Sequence, residues 1–147
     1  LAKSLLANQN TGQAIEEFKR LTKAKNPEYA AEAQYTLAEL NFMAGKIDEA
    51  EKIIHQINAN PSSEYYLAKA FILWADIFKS RGNTLQAKQT LQSIIDNYEG
   101  DEELIETARQ KLISLTMQQE KTQQEKQEKR QEQQEAVDEI IIVDEPR

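Results

Sequence analysis

The sequence predicts an all-α fold, an antiparallel helix-pair solenoid that ends in a capping helix and a polar tail. The first observation behind this prediction is a repeat. The pairs Leu1-Ala2, Leu37-Ala38 and Trp74-Ala75 are spaced 36 and 37 residues apart, and a second alanine follows twelve residues later at Ala14, Ala50 and Ala87. A fixed period of this length is typical of helical repeat arrays, in which each repeat buries its apolar face against its neighbours. A weaker fourth copy begins at Leu112-Ile113.

The second observation is where the residues that begin and end helices fall. The four glycines, Gly12, Gly45, Gly82 and Gly100, all lie where the periodic pattern breaks, as helix ends and tight turns require. Asn26-Pro27 is typical of an N-cap followed by proline at the first helical position. We therefore expect helices over roughly 1–8, 12–25, 28–44, 47–58, 63–81, 85–97 and from 102 onward. Because the connections are short, neighbouring helices should pack antiparallel.

Composition divides the chain into three segments. We expect residues 1–117 to form a helical repeat domain whose first repeat is truncated. Its last helix should cover the end of the array with Leu104, Ile105, Ala108, Leu112, Leu115 and Met117. Residues 118–136 form an extension rich in Gln, Glu and Lys. It is either helical or disordered, because it has strong helix formers but no apolar stripe. Residues 137–147 form an acidic, β-branched tail.

The centre of this tail is Ile140, Ile141, Ile142 and Val143. Four consecutive β-branched residues favour an extended strand, which can satisfy its backbone groups by adding to the edge of a partner's sheet. We therefore predict that these residues dock on a partner. Two alternatives stay open, a strand that folds back on the chain and a disordered tail whose acidic flanks suppress aggregation. The pattern also resembles motifs that bind small ubiquitin-like modifiers, an option that a bacterial source would remove.

Residues suited to catalysis or metal binding are scarce in the sequence. The chain has no Cys, a single histidine, His55, and no glycine cluster that could cradle a phosphate. Acidic pairs such as Asp48-Glu49 fall at helix starts, where they complement the helix dipole. We therefore predict no catalytic residues, no metal site, no cofactor and no enzyme activity. The net charge of -7 argues against nucleic-acid binding, and no apolar run reaches the roughly 20 residues that span a bilayer.

Residues 1 to about 117 resemble the tetratricopeptide repeat family. Each copy has a large and then a small residue on its first helix, a turn glycine, and small and large residues on its second helix. One copy is Ala33 to Ala38, Gly45, Ala50, Ile54, Ile57 and Pro61, and the next is Ala70 to Ala75, Phe78, Gly82, Ala87, Leu91 and Ile94. Asn41 replaces the family's usual aromatic, so we expect Phe42 to take over part of that packing. Trp74 occupies the large inward position and is expected in the core.

The spacing is longer than the family's usual 34 residues. With the run from Ala31 to Leu40, this spacing resembles the repeats of bacterial cell-envelope proteins, such as outer-membrane assembly lipoproteins and periplasmic coordinators of envelope division. The resemblance implies a location in the bacterial periplasm or cell envelope, with the cytoplasm as the alternative. Because the chain opens on Leu1, inside a repeat, we also expect it to be the C-terminal part of a larger repeat protein.

The family resemblance implies that a peptide or protein segment binds to the concave surface lined by the first helix of each pair. The candidate residues on the non-core side of these helices are Tyr35, Glu39, Phe42, Met43, Ile72, Asp76 and Lys79. Family members that hold the C-terminal carboxylates of heat-shock chaperones use Lys and Asn at such positions. This chain has Glu39 and Asp76 there, which would repel a carboxylate. We therefore expect an apolar or basic segment.

These observations predict a non-catalytic scaffold for protein–protein interaction. The alternative is a structural module that self-associates through the exposed face of the first repeat or through the strand-like tail. An accessory subunit of an enzyme is also compatible with the sequence. The partner is predicted to be a protein or peptide, without nucleic acid and without a membrane span.

Overall fold

The computed structural model describes residues 11–143, with side chains from 12 to 142, and this part of the chain is helical with no strand. Its six helices are α1 (Thr11–Leu21), α2 (Pro27–Met43), α3 (Ile47–Ala59), α4 (Glu64–Ser80), α5 (Thr84–Asn97) and α6 (Glu102–Val143). The predicted all-α fold is confirmed. The helix expected over residues 1–8 lies outside the described residues.

Helix α1 ends four residues earlier than the sequence predicted. Lys23 and Ala24 donate their backbone N–H groups to the carbonyls of Arg20 and Leu21, at 3.3 and 3.0 Å, and so form tight turns instead of another helical turn. Pro27 disfavours helical conformation in the residue before it, Asn26, which is extended and separates the two helices. Asn26 instead caps α2, and its Oδ1 accepts the backbone N–H of Glu28 at 3.0 Å.

The turn glycines act as the spacing predicted. Gly45 and Gly82 have φ angles of +79° and +78°, a conformation that only glycine adopts without strain. Both turns close in the same way. Lys46 N–H donates to the Asn41 carbonyl and Asn83 N–H to the Phe78 carbonyl, each at 2.8 Å. These bonds satisfy the carbonyls at the ends of α2 and α4, and they reverse the chain so that α3 and α5 can pack antiparallel to them.

Two clusters of buried side chains hold successive helices together. The first joins α1 and α2 through Ala14, Ile15, Phe18, Ala33, Leu37 and Leu40. The second joins α2, α3 and α4 through Ala38, Ala50, Ile54, Ile57, Ala70, Leu73 and Ile77. Ala38, Ala50 and Ala70 are fully buried, because small side chains allow the helix backbones to approach closely while leucine and isoleucine fill the space beside them.

The exchange of an aromatic for Asn41 is compensated as expected. Asn41 is buried, and its Nδ2 donates to the Leu37 carbonyl at 2.8 Å, so its polar group is satisfied inside the helix. Phe42 is half-buried and packs against the second core cluster. Trp74 also packs on this cluster but is half-buried rather than fully enclosed, and its Nε1 donates to Glu51 Oε1 at 3.2 Å.

The chain divides into two compact units after Leu112. The described part of the first unit, residues 11–112, contains α1 to α5 and the start of α6, whose Leu104, Ile105 and Ala108 are buried as predicted. The second unit, described over residues 113–143, is the rest of α6. Within it Met117 is 64 % exposed.

The predicted strand at residues 140–143 is also wrong, because Ile140, Ile141, Ile142 and Val143 continue α6. Residues 118–135 contain neither glycine nor proline, and adding a residue to an existing helix avoids the cost of nucleation. Isoleucine and valine have a weak helix propensity, but it costs only roughly a few tenths of a kcal/mol per residue. This cost is too small to stop the helix there. Ile140, Ile141 and Ile142 are 64 %, 59 % and 72 % exposed.

Candidate functional site

The first helices of successive pairs carry the predicted binding residues, and two of these residues are directly bonded. The Tyr35 hydroxyl donates to Glu39 Oε2 at 2.6 Å across one turn of α2. Burial, followed by this hydrogen bond and by the negative charges of Glu39 and Asp76, raises the pKa of Tyr35 far above its usual range. The phenol therefore stays protonated at neutral pH and remains a hydrogen-bond donor to Glu39.

A lysine that the sequence analysis did not select lies next to Tyr35. Lys69 Nζ is 4.7 Å from the centroid of the Tyr35 ring, 5.5 Å from that of Tyr65 and 5.8 Å from that of Tyr66. The rings also contact one another, with centroids 6.0 Å apart for Tyr35 and Tyr66 and 5.1 Å apart for Tyr65 and Tyr66. An ammonium over aromatic faces at these distances is a cation–π arrangement. α2 and α4 are thus joined by a charged group surrounded by rings.

A cavity of about 300 Å³ opens beside this lysine. We call it the tyrosine–lysine groove, and it is lined by Tyr35 from α2, by Tyr65, Lys69 and Ile72 from α4, and by Asp101, Glu103, Leu104 and Thr107 at the start of α6. The groove has an apolar part at Ile72 and Leu104, aromatic walls, one ammonium and two carboxylates. Its volume suits one large side chain or a short stretch of peptide.

The carboxylate of Asp76 is already paired. Lys111 Nζ from the first part of α6 donates to both of its oxygens, at 3.0 and 3.1 Å. Asp101 has a structural role as well, because its Oδ1 caps α6 by accepting the backbone N–H of Leu104 at 2.9 Å. Glu103 is exposed in the first turn of α6. Apart from the neutralised Asp76–Lys111 pair, the groove and its neighbour Glu39 therefore carry three carboxylates and the single ammonium of Lys69.

The predicted site residues separate into two groups. Tyr35 and Ile72 line the groove, Glu39 is bonded to Tyr35, and Asp76 lies close enough to influence it. Phe42, Met43 and Lys79 are not among the lining residues. Phe42 packs on the core, whereas Met43 and Lys79 are exposed near the ends of α2 and α4.

Sequence reasoning missed Tyr65, Lys69 and Lys111. Tyr65 and Lys69 precede Ile72 by seven and three residues, which places them on the same face of α4, so extending the predicted stripe by two turns toward the N-terminus of the helix would have found them. Lys111 had no such signal. It meets Asp76 only because α6 packs next to α4, 35 residues further along the chain.

A second cavity, of about 320 Å³, lies between α4 and α5. Its apolar lining comes from Leu67, Ala68, Phe71 and Ile94, and Glu64 and Glu99 also line it. Tyr98 is a further lining residue, and its hydroxyl accepts the backbone N–H of Asp101 at 3.1 Å. This cavity contains none of the predicted site residues.

Residues 11–143 contain no group of three or more metal-binding side chains. None of the helices in this range is long and apolar enough to cross a membrane. His55, the single histidine, is exposed on α3, and its ring meets the Trp74 ring edge-on at a centroid distance of 4.9 Å.

Two family models, each described as tetratricopeptide repeat, match residues 5–72 and residues 64–100. Together these matches run from residue 5 to residue 100, through α1 to α5. Residues 5–100 of this chain are tetratricopeptide repeats. No curated protein and no solved structure matches the chain. Tetratricopeptide repeats generally mediate protein–protein interaction, and the groove described above lies on the first helices of successive repeats.

Proposed function

We propose that this tetratricopeptide repeat protein is a non-catalytic scaffold that binds a peptide or protein segment in the tyrosine–lysine groove, on the concave face of the repeats. The observation that carries the proposal is the groove itself, a cavity of about 300 Å³ built from the first helices α2, α4 and α6. Apolar surface at Ile72 and Leu104 gives a segment area to bury, and the aromatic walls add contacts of defined geometry.

The charges of the groove favour a segment with basic and apolar side chains. Glu39, Asp101 and Glu103 are negative, whereas Lys69 is the single positive group that lacks an ion-pair partner among the described neighbours of the groove. A ligand carboxylate would face these acids, but a ligand lysine or arginine would be attracted to them. The first turn of α6 already has carboxylates at its positive end, so the helix dipole there offers little to a further anion.

Selection from a random peptide library with the full chain tests this proposal. Thr107→Trp should fill the groove and reduce the affinity of selected peptides at least roughly tenfold, because a side chain of the peptide can no longer enter the groove. Gln110→Trp is the matched control, since Gln110 is exposed on the same helix one turn later and does not line the cavity. Circular dichroism checks that both variants fold. Selected peptides that are acidic, or that bind Thr107→Trp as well as they bind the wild type, would contradict the proposal.

Self-association through the end of α6 is a second candidate function, favoured by a different observation. Val137, Ile140 and Ile141 are 48 %, 64 % and 59 % exposed, and their spacing of three and four residues places them on one helical face. An apolar stripe on an otherwise polar helix gains by packing against the same stripe of a second copy. We keep docking of Ile140 to Val143 on a different partner as the alternative for this segment.

Sedimentation over a range of concentrations separates these possibilities. Ile140→Glu with Ile141→Glu should leave the protein monomeric if the stripe pairs two copies. Gln133→Glu with Gln134→Glu is the control, because it adds the same charge to exposed polar positions of the same helix. A wild type that stays monomeric at every concentration tested would exclude self-association.

The bacterial cell envelope is the location that we propose. Its support is the repeat spacing of 36 and 37 residues, together with the run from Ala31 to Leu40. Fractionation of the source cells with an antibody against the repeats tests it, and recovery of the protein only with cytoplasmic markers would overturn it.

A further inference from the structure

Lys69 is surrounded by aromatic rings rather than by carboxylates. Its Nζ lies 4.7–5.8 Å from the centroids of three tyrosine rings. Among residues 12–142 no carboxylate forms an ion pair with it, although Asp101 and Glu103 line the same cavity. The ammonium is thus held by aromatic faces in a half-buried position rather than by an opposite charge.

Three rings around one ammonium form the kind of surface that recognises cations. The negative face of each ring attracts a positive charge, and the attraction grows when the charge is partly removed from water. Tyr35 is well suited to this role, because its hydroxyl is fixed by donating to Glu39 and its pKa is raised, so the ring stays neutral and oriented. The surrounding carboxylates favour a cation in the same place.

We propose that Tyr35, Tyr65 and Tyr66 form a cation-binding subsite next to the tyrosine–lysine groove, and that Lys69 occupies it until the ammonium of a bound partner replaces it. Lys69 is then a specificity-determining residue, since any ligand must compete with it. That the ligand's cation belongs to a peptide rests on the proposed function. The existence of the subsite, and the competition between Lys69 and another cation for it, do not.

Lys69 is able to leave the rings without breaking a bonded network. A lysine side chain is a flexible stem that keeps its charge hydrated when it swings out, unlike a buried bidentate arginine. The cavity beside the rings gives it and the incoming group room to exchange. The carboxylates of Asp101 and Glu103, which line the same cavity, favour the incoming cation as they favour Lys69.

Titration of the full chain with tetramethylammonium chloride, followed by NMR of the tyrosine ring signals, tests the subsite without any peptide. Lys69→Gln should bind the probe roughly two- to fivefold more tightly than the wild type, because the competing ammonium is gone. Lys52→Gln is the control, since it removes the same charge from an exposed position of α3. Tyr29 and Tyr98, the other two of the five tyrosines, report whether the shifts are confined to the subsite.

A second variant keeps the test independent of any change that Lys69→Gln makes in packing. Tyr65→Leu combined with Lys69→Gln should lose the gain in affinity, because it removes one of the three rings and keeps an apolar side chain. Equal affinity of the wild type and Lys69→Gln for tetramethylammonium, or equal shifts at Tyr29 and Tyr98, would overturn the proposal. The proposal would also be overturned if sodium acetate shifted the ring signals of the wild type but not those of Lys69→Gln. Lys69 would then be a residue that binds an anion.

The two proposals fail in different ways. If the subsite binds tetramethylammonium but Thr107→Trp weakens no library peptide, then peptide binding in the groove is refuted and the cation site stands. Peptides that depend on Thr107 but bind Lys69→Gln no more tightly than the wild type would keep the groove and refute the competition by Lys69.

Discussion

Lys111 Nζ contacts both carboxylate oxygens of Asp76, at 3.0 and 3.1 Å, and so joins the first part of α6 to the C-terminal part of α4. Both side chains keep about a third of their surface exposed, at 37 % and 33 %. The pair changes the interpretation of Asp76, since a carboxylate that seemed available to a ligand is neutralised by a residue of the same chain. It also secures α6 beside the groove that α6 helps to line.

We predict that this ion pair makes a small but measurable contribution to stability. In a double-mutant cycle with Asp76→Asn and Lys111→Met, the coupling free energy of unfolding should be about 0.5–1 kcal/mol, because solvent screens a pair that is a third exposed. Urea denaturation of the four proteins measures it. A coupling indistinguishable from zero would mean that the pair does not hold α6 in solution.

Trp74 should contribute to stability rather than to binding. It stacks on Phe78 with ring centroids 5.3 Å apart and donates to Glu51, but it is only half-buried. Trp74→Ala should therefore cost about 2–4 kcal/mol, at the lower end of the range for a core aromatic. Trp74→Phe, which keeps one aromatic ring but loses the second ring and the hydrogen bond, should cost at least about 1 kcal/mol. Circular dichroism in urea is the measurement, because the single tryptophan is itself changed. A loss of peptide affinity at full stability would contradict this role.

Glu51 should make stability depend on pH in the acid range. The hydrogen bond from Arg81, with a further one from Trp74 Nε1, holds the pKa of Glu51 below its ordinary value of 4.5. A carboxylate whose pKa is lower in the folded state than in the unfolded state stabilises the protein at pH values above its unfolded-state pKa. This stabilisation is lost as the pH falls through its folded-state pKa. The melting temperature should therefore fall more steeply below about pH 4.5 in the wild type than in Glu51→Gln. Glu49→Gln, at an exposed position on the same helix, should follow the wild type. Identical profiles for all three proteins would refute the prediction.

The two turn glycines should be intolerant of a side chain. Gly45→Ala and Gly82→Ala should each cost about 1–2 kcal/mol, because both positions have a positive φ that an L residue adopts only with strain. Gly12→Ala is the control, since Gly12 lies in α1 without a positive φ, and an added methyl group meets nothing within 4 Å. This change should stabilise the protein by up to about 1 kcal/mol. Thermal unfolding compares the three variants, and equal effects at all three positions would contradict the assignment of the turns.

The repeat period, the turn glycines and the alanine positions determined the helical-pair architecture from the sequence alone. These features are local, because a helix end depends on a few neighbouring residues and an alanine at the contact of two helices recurs with the period. The same local reasoning failed at Ile140 to Val143. There the strand prediction rested on the β propensity of four residues alone. The helix that precedes them extends through them, because nothing interrupts it.

The groove could be predicted only in part. Tyr35, Glu39 and Ile72 followed from the face of each first helix, because residues three and four apart share a face. The position of Lys69 among three rings and the pairing of Asp76 with Lys111 depend on how α2, α4 and α6 pack together. Sequence periodicity determined which residues face the groove, and tertiary packing decided which of their charges remain available to a partner. The physical reason is that helical spacing fixes the direction of a side chain, whereas an electrostatic environment is the sum of groups that are distant in the chain.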